Sequence, residues 1–208
     1  INCETDAGNQ DSLTVTNIAS GVAAGVTNGD ADFDYTFTYA DTSSLTDTET
    51  LKLNKAKADS IVIAGVETLN IEGTNTSVID VLTTAAATKY VITGSGKTTL
   101  SDIANTVKTI DASTSTGGVV IGGVGTQDHT ITGGSGDDTV EMAATITAKD
   151  TIDLGAGTDT ISITGDLRCH ILNASGLFFL VCFLFLQSPS RILRKAGGGI
   201  CAMQTRCR

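Results

Sequence analysis

Short apolar and β-branched triplets recur along the chain with small, polar residues between them: Leu51-Lys52-Leu53, Ile61-Val62-Ile63, Leu69-Asn70-Ile71, Val78-Ile79-Asp80 and Tyr90-Val91-Ile92. The series continues through Thr98-Thr99-Leu100, Val107–Ile110, Val119-Val120-Ile121, His129-Thr130-Ile131 and Thr160-Ile161-Ser162. Centres about 8–12 residues apart, with Gly, Asn, Asp or Ser between them, predict strands joined by tight turns. Two such strands make a coil of about 20 residues. Gly73 and Gly94, 21 positions apart, keep the same phase.

A parallel β-solenoid and an antiparallel β-sandwich both produce this rhythm. The single proline, and the lack of an Asn-Gly or Asp-Gly hairpin turn inside the strand-rich region, favour the solenoid. The expected fold class is therefore all-β, a parallel β-solenoid or β-roll, with the β-sandwich as alternative. Residues 46–166 form the expected solenoid, with short helical pieces expected at Ser77–Thr88 and Leu100–Val107. Residues 1–45 are less regular, although the alternation from Asp32 to Tyr39 puts Phe33, Tyr35, Phe37 and Tyr39 on one face of a strand.

Charge divides the chain more sharply than hydropathy. Residues 1–166 hold all 23 acidic side chains against 7 lysines and no arginine, whereas residues 167–208 hold no acid and 6 basic residues. The second segment also holds four of the five cysteines and the only proline, Pro189. Its run Leu177–Leu186 is apolar throughout but short of the roughly 20 residues a spanning helix needs. A shifted or chimeric reading frame explains such an abrupt change as economically as a weak membrane anchor, and is the favoured reading of residues 167–208. The chain begins with Ile1 and shows no basic region followed by an apolar one, so it reads as a fragment. The acidic surface excludes nucleic acid as a partner, since phosphate binding needs Lys and Arg. Its acidity suits cations and solubility instead.

One stretch carries a specific motif. Gly133-Gly134-Ser135-Gly136-Asp137-Asp138-Thr139-Val140-Glu141 fills every fixed position of the nonapeptide G-G-x-G-x-D-x-U-x, where U is a large apolar residue. Glycines let the backbone turn its carbonyl oxygens inward, Asp138 adds a carboxylate, and Val140 starts a strand with an inward side chain. Calcium wants 6 to 8 oxygens, so one turn is not enough and a second must stack beside it. Leu154-Gly155-Ala156-Gly157-Thr158-Asp159-Thr160-Ile161-Ser162, 21 residues on, has lost only its first glycine, to Leu154. Gly122–Asp128 reads as a third, degraded copy. Asp137 occupies the variable fifth position and faces solvent.

Catalytic motifs fare less well. Ser95-Gly96-Lys97-Thr98-Thr99 resembles the end of a phosphate-binding loop, but the required first glycine is Val91. The only histidines are His129 and His170, and neither a G-x-S-x-G elbow nor an H-E-x-x-H pair occurs. Cys201 and Cys207 lack zinc spacing and partners. The expectation is a protein that is not an enzyme.

On the nonapeptides, the chain resembles the calcium-binding repeat region of RTX proteins, which Gram-negative bacteria secrete by type I export. Its Thr/Ala/Asp-rich, arginine-free body, with phrases such as Val66-Glu67-Thr68-Leu69-Asn70-Ile71, is most similar within that group to bacterial surface-layer (S-layer) proteins. The resemblance implies that carbonyls of Gly133, Ser135, Gly155 and Gly157, with the carboxylates of Asp138 and Asp159, hold calcium between stacked turns; Gly136 belongs to the same turn. It implies an extracellular, cell-surface location, disorder without calcium, and self-association into a surface array, with cell-surface polysaccharide as a further partner. The implied role is that of a structural surface-layer or adhesin segment. The alternative is the calcium-dependent accessory region of a secreted enzyme or toxin.

Overall fold

The computed structural model describes residues 11–142, 149–163, 191–196 and 200–204. In chain order the strands are β1 (Asp11–Ile18), β2 (Ala24–Thr27), β3 (Phe33–Tyr39), β4 (Thr48–Asn54), β5 (Lys57–Ile63), β6 (Thr68–Gly73), β7 (Ser77–Thr83), β8 (Lys89–Gly94) and β9 (Thr98–Ile103). They continue as β10 (Thr109–Asp111), β11 (Val119–Val124), β12 (Thr130–Thr132), β13 (Thr139–Met142), β14 (Thr151–Asp153), β15 (Thr160–Ile163), β16 (Arg191–Ala196) and β17 (Ile200–Gln204). Odd-numbered strands up to β15 form one sheet and even-numbered strands up to β14 the other. The chain thus crosses from sheet to sheet at every turn, winding a flattened β-solenoid of about seven coils.

Every strand pair from β1 to β15 is parallel, which rules out the sandwich. The coil length expected from spacing is the one observed: Thr68 pairs with Lys89, Ser77 with Thr98, Thr109 with Thr130 and Thr139 with Thr160, each 21 residues on. Gly73 sits on Gly94. All ten triplets fall wholly or partly on strands, and β1 to β3 join the same two sheets. In β3 the side chains of Phe33, Tyr35, Phe37 and Tyr39 alternate into the core, with the Phe33 and Tyr35 ring centroids 4.7 Å apart.

The core lies between the two sheets. Leu51, Leu53, Ile61, Ile63, Leu69 and Ile71 are wholly enclosed there. Tyr90 is enclosed as well; its hydroxyl meets Thr84 Oγ1 at 2.6 Å, and burial pushes its pKa up to about 12.

The two expected helices are absent: Ser77–Thr88 holds β7 and a turn, and Leu100–Val107 holds most of β9 and a turn. The reason is a pair of adjacent outward residues in each of these two strands. Asp80 and Val81 both point outward between buried Ile79 and Leu82, and Ser101 and Asp102 do so between Leu100 and Ile103. Apolar residues three apart then imitate a helical face, while the backbone remains paired on both sides. Five strands carried no recognised signal: β1, β2, the three-residue β14, β16 and β17.

At the far end β16 pairs antiparallel with β15, and β17 with β16, so the first sheet ends in an antiparallel hairpin. The apolar run Leu177–Leu186 lies outside the described residues, among which no helix is long and apolar enough to cross a membrane.

Coil stacking makes a testable demand. Gly94 has φ +107°, and a Cβ there would fall on Gly73 O, whereas Gly21, at φ +78°, has nothing within 4 Å of that position. Gly94→Ala should cost about 3 kcal/mol or more, and Gly21→Ala only about 1 kcal/mol. Urea unfolding of both variants beside the parent checks this; equal losses would mean that stacking is not the constraint.

Candidate metal-binding corner

The turns that return the chain from the second sheet to the first stack into a corner running the length of the coil. It contains Thr74–Thr76, Ser95–Lys97, Ala112–Gly118, Gly133–Asp138 and Leu154–Asp159. Backbone bonds link each level to the one before: Gly96 N donates to Gly73 O (3.0 Å), Thr116 N to Gly94 O (2.9 Å), Ser135 N to Ser115 O (3.0 Å) and Ala156 N to Gly134 O (3.0 Å). Side chains would obstruct that approach. A Cβ on Gly96 would meet the backbone of Asn75, one on Gly117 the carbonyl of Gly96, and one on Gly157 the carbonyl of Gly136. The glycines at 136 and 157 therefore continue a column that already runs through levels with no aspartate. Stacking alone explains them.

A second column follows the first residue of each odd strand or the position before it: Ser77, Thr98, Val119, Asp138 and Asp159. All five are buried, the two aspartates at 2% exposure each. In this slot a side-chain oxygen reaches back one coil to a backbone N–H. Ala56 N donates to Ser77 Oγ (3.0 Å), Val119 N to Asp138 Oδ1 (2.7 Å) and Asp138 N to Asp159 Oδ1 (3.1 Å). Asp138 Oδ2 also accepts from Gly134 N at 2.9 Å. Asp159 Oδ2 is buried with no hydrogen-bond partner. Asp137, exposed as its position suggested, also links coils by accepting from Thr158 N at 2.7 Å.

The seven residues singled out from the nonapeptides, Gly133, Ser135, Gly136, Asp138, Gly155, Gly157 and Asp159, thus share one corner on two adjacent levels, between β12 and β13 and between β14 and β15. Gly122–Asp128 does not join them. Gly122, Gly123 and Val124 belong to β11, and the rest lies in the opposite corner. His129 sits there too, buried, with Nε2 3.3 Å from Gly125 O. Lys97 is an exposed turn residue, and β9 rather than a helix follows it, so no helix N-terminus is available for a phosphate.

The chemistry of this corner favours a hard cation. Burial pushes the Asp138 carboxyl above its ordinary pKa; the N–H groups of Val119 and Gly134 pull it down, and the nearby charges of Asp159 and Asp137 push it up again. The ion pairs Lys52–Glu72, Lys89–Asp111 and Lys149–Asp128 all lie elsewhere. Gly133 leaves a cradle: a Cβ there would come within 2.5 Å of Asp138 Oδ2 and 2.6 Å of Leu154 O, oxygens from two successive levels. The unpaired Asp159 Oδ2 and this oxygen-lined gap fit calcium in kind. No group of three or more His, Cys, Asp and Glu converges among the described residues, so backbone carbonyls would have to supply most of any coordination sphere here.

The two aspartates differ in what an amide can replace. Asp159→Asn keeps one acceptor for Asp138 N and removes a buried charge, so without calcium it should be neutral or stabilising. Asp138→Asn turns an NH₂ toward one of two buried N–H donors and should cost about 1–3 kcal/mol. Thermal unfolding in a chelator distinguishes them; equal behaviour would mean that the bonding pattern is not what holds the corner.

The chain matches no protein-family model and no curated protein.

Proposed function

We propose that the chain is a structural, calcium-reinforced segment of an extracellular bacterial surface protein, a surface-layer or adhesin subunit that associates with copies of itself. The observation that carries this reading is the pair of buried carboxylates, Asp138 and Asp159, stacked one coil apart with one oxygen unpaired. A buried charge without a counter-charge costs several kcal/mol. A bound calcium ion supplies the positive charge that offsets it. Asp138, Asp159 and carbonyls of the Gly133 and Leu154 turns would hold the ion, while the glycine columns keep side chains out of the way.

The remainder of the molecule suits scaffolding. A regular coil with an apolar interior and an exterior that carries Thr68, Asn70, Glu72, Lys89 and Thr130 presents largely polar faces, and its acidic composition is compatible with a cation-rich exterior. The body between β4 and β11 lacks tandem nonapeptides, which favours this reading over an accessory region of a secreted enzyme or toxin.

Calorimetric titration of the full chain with calcium should show saturable binding, with the first unfolding transition in circular dichroism moving up. At a hundredfold excess over Kd the gain is about 2.7 kcal/mol. Asp138→Ala combined with Asp159→Ala should abolish both effects, and Lys97→Ala should leave both intact. A parent protein that neither binds nor responds at millimolar calcium would falsify the reading.

A further inference from the structure

We propose that the solenoid has two tiers: the coils from β4 to β11 fold and stay folded without a cation, and calcium acts only on β12–β15, fastening them to that preformed template. This deepens the calcium reading above and rests on it.

Three observations on the corner and the core converge. In the slot that reaches back one coil, the first tier carries neutral Ser77, Thr98 and Val119, and the second carries Asp138 and Asp159. Thr98 Oγ1 is also buried without a partner, but an unpaired hydroxyl is far cheaper to bury than an unpaired carboxylate. The core is uneven in the same direction. The twelve largest fully enclosed side chains all lie between Leu51 and Ile110, while Ile152 and Ile161 are only partly covered. Pairing also weakens along the chain: β4 to β9 have six or seven residues each, whereas β10, at the end of the first tier, and β12 and β14 in the second have three.

The second tier therefore combines less apolar burial, shorter ladders and three neighbouring aspartates, Asp137, Asp138 and Asp159. Its docking points on the first tier are already in place: Val119 N for Asp138 Oδ1 and Ser115 O for Ser135 N. In a linear array each coil is stabilised by its own burial and its nearest neighbours, so a local charge penalty weakens the end without unwinding the middle. This departs from the global disorder without calcium that the RTX resemblance implies.

Hydrogen exchange read by mass spectrometry on the full chain, in chelator and in calcium, tests the division. Amides of 48–124 should be protected in both conditions, and those of 130–142 and 149–163 should exchange at least about tenfold more slowly with calcium. In Asp159→Asn the calcium effect should vanish while 48–124 stays protected. Strands β4–β11 that exchange freely in chelator and gain protection with calcium would overturn the two-tier division and leave the calcium reading standing. No change at any amide would overturn both. A calcium effect that persists in Asp159→Asn would overturn the assignment of the second tier to this carboxylate pair.

Discussion

At the corner joining the second sheet to the first, each coil lays its peptide groups directly on those of the coil before it. Gly73 O, Gly94 O, Ser115 O and Gly134 O each accept a bond from the next level. That close approach leaves no room for a Cβ at Gly96, Gly117, Gly136 or Gly157. It fixes the coil at about 21 residues, aligns the strands in register and brings the buried slot of Ser77, Thr98, Val119, Asp138 and Asp159 into a single line. The sheets, the core between them and the acidic pair all depend on this contact.

The slot shows how one geometric role tolerates different chemistry. Ser77 and Asp138 both accept an N–H from the preceding coil, so the backbone requirement is met by a hydroxyl or a carboxylate. The choice matters only for charge. A serine leaves the corner neutral, whereas Asp138 above Asp159 creates a buried negative site whose own hydrogen bonds do not neutralise it. Structural capping needs only the acceptor oxygen; under the calcium reading proposed above, the same side chain would also supply charge to the ion.

Much of the architecture was legible because two signals agreed: triplet spacing gave the strands, and glycines 21 residues apart gave the period. The helical expectations at Ser77–Thr88 and Leu100–Val107 failed because outward pairs such as Asp80-Val81 and Ser101-Asp102 impose a spacing of three on paired strands. β14 repeats the Thr-Ile-Asp of β10, so its signal was present in the sequence and was passed over. The candidate corner was legible through the nonapeptide, but the reason for its glycines was not. The comparison that reveals it, with Gly96 and Gly117, needs levels that lack an aspartate and so never match the motif.

By itself the sequence determined the all-β character, the coil length and the pairing of Asp138 with Asp159, since periodic burial and a fixed offset are properties of a one-dimensional pattern. Only the tertiary structure decided which carboxylate oxygens are engaged. Asp138 is held by N–H groups of residues 4 and 19 positions away, while Asp159 keeps one oxygen unpaired. Hydrogen bonds between coils depend on which backbone groups face the slot after winding, and no local pattern encodes that.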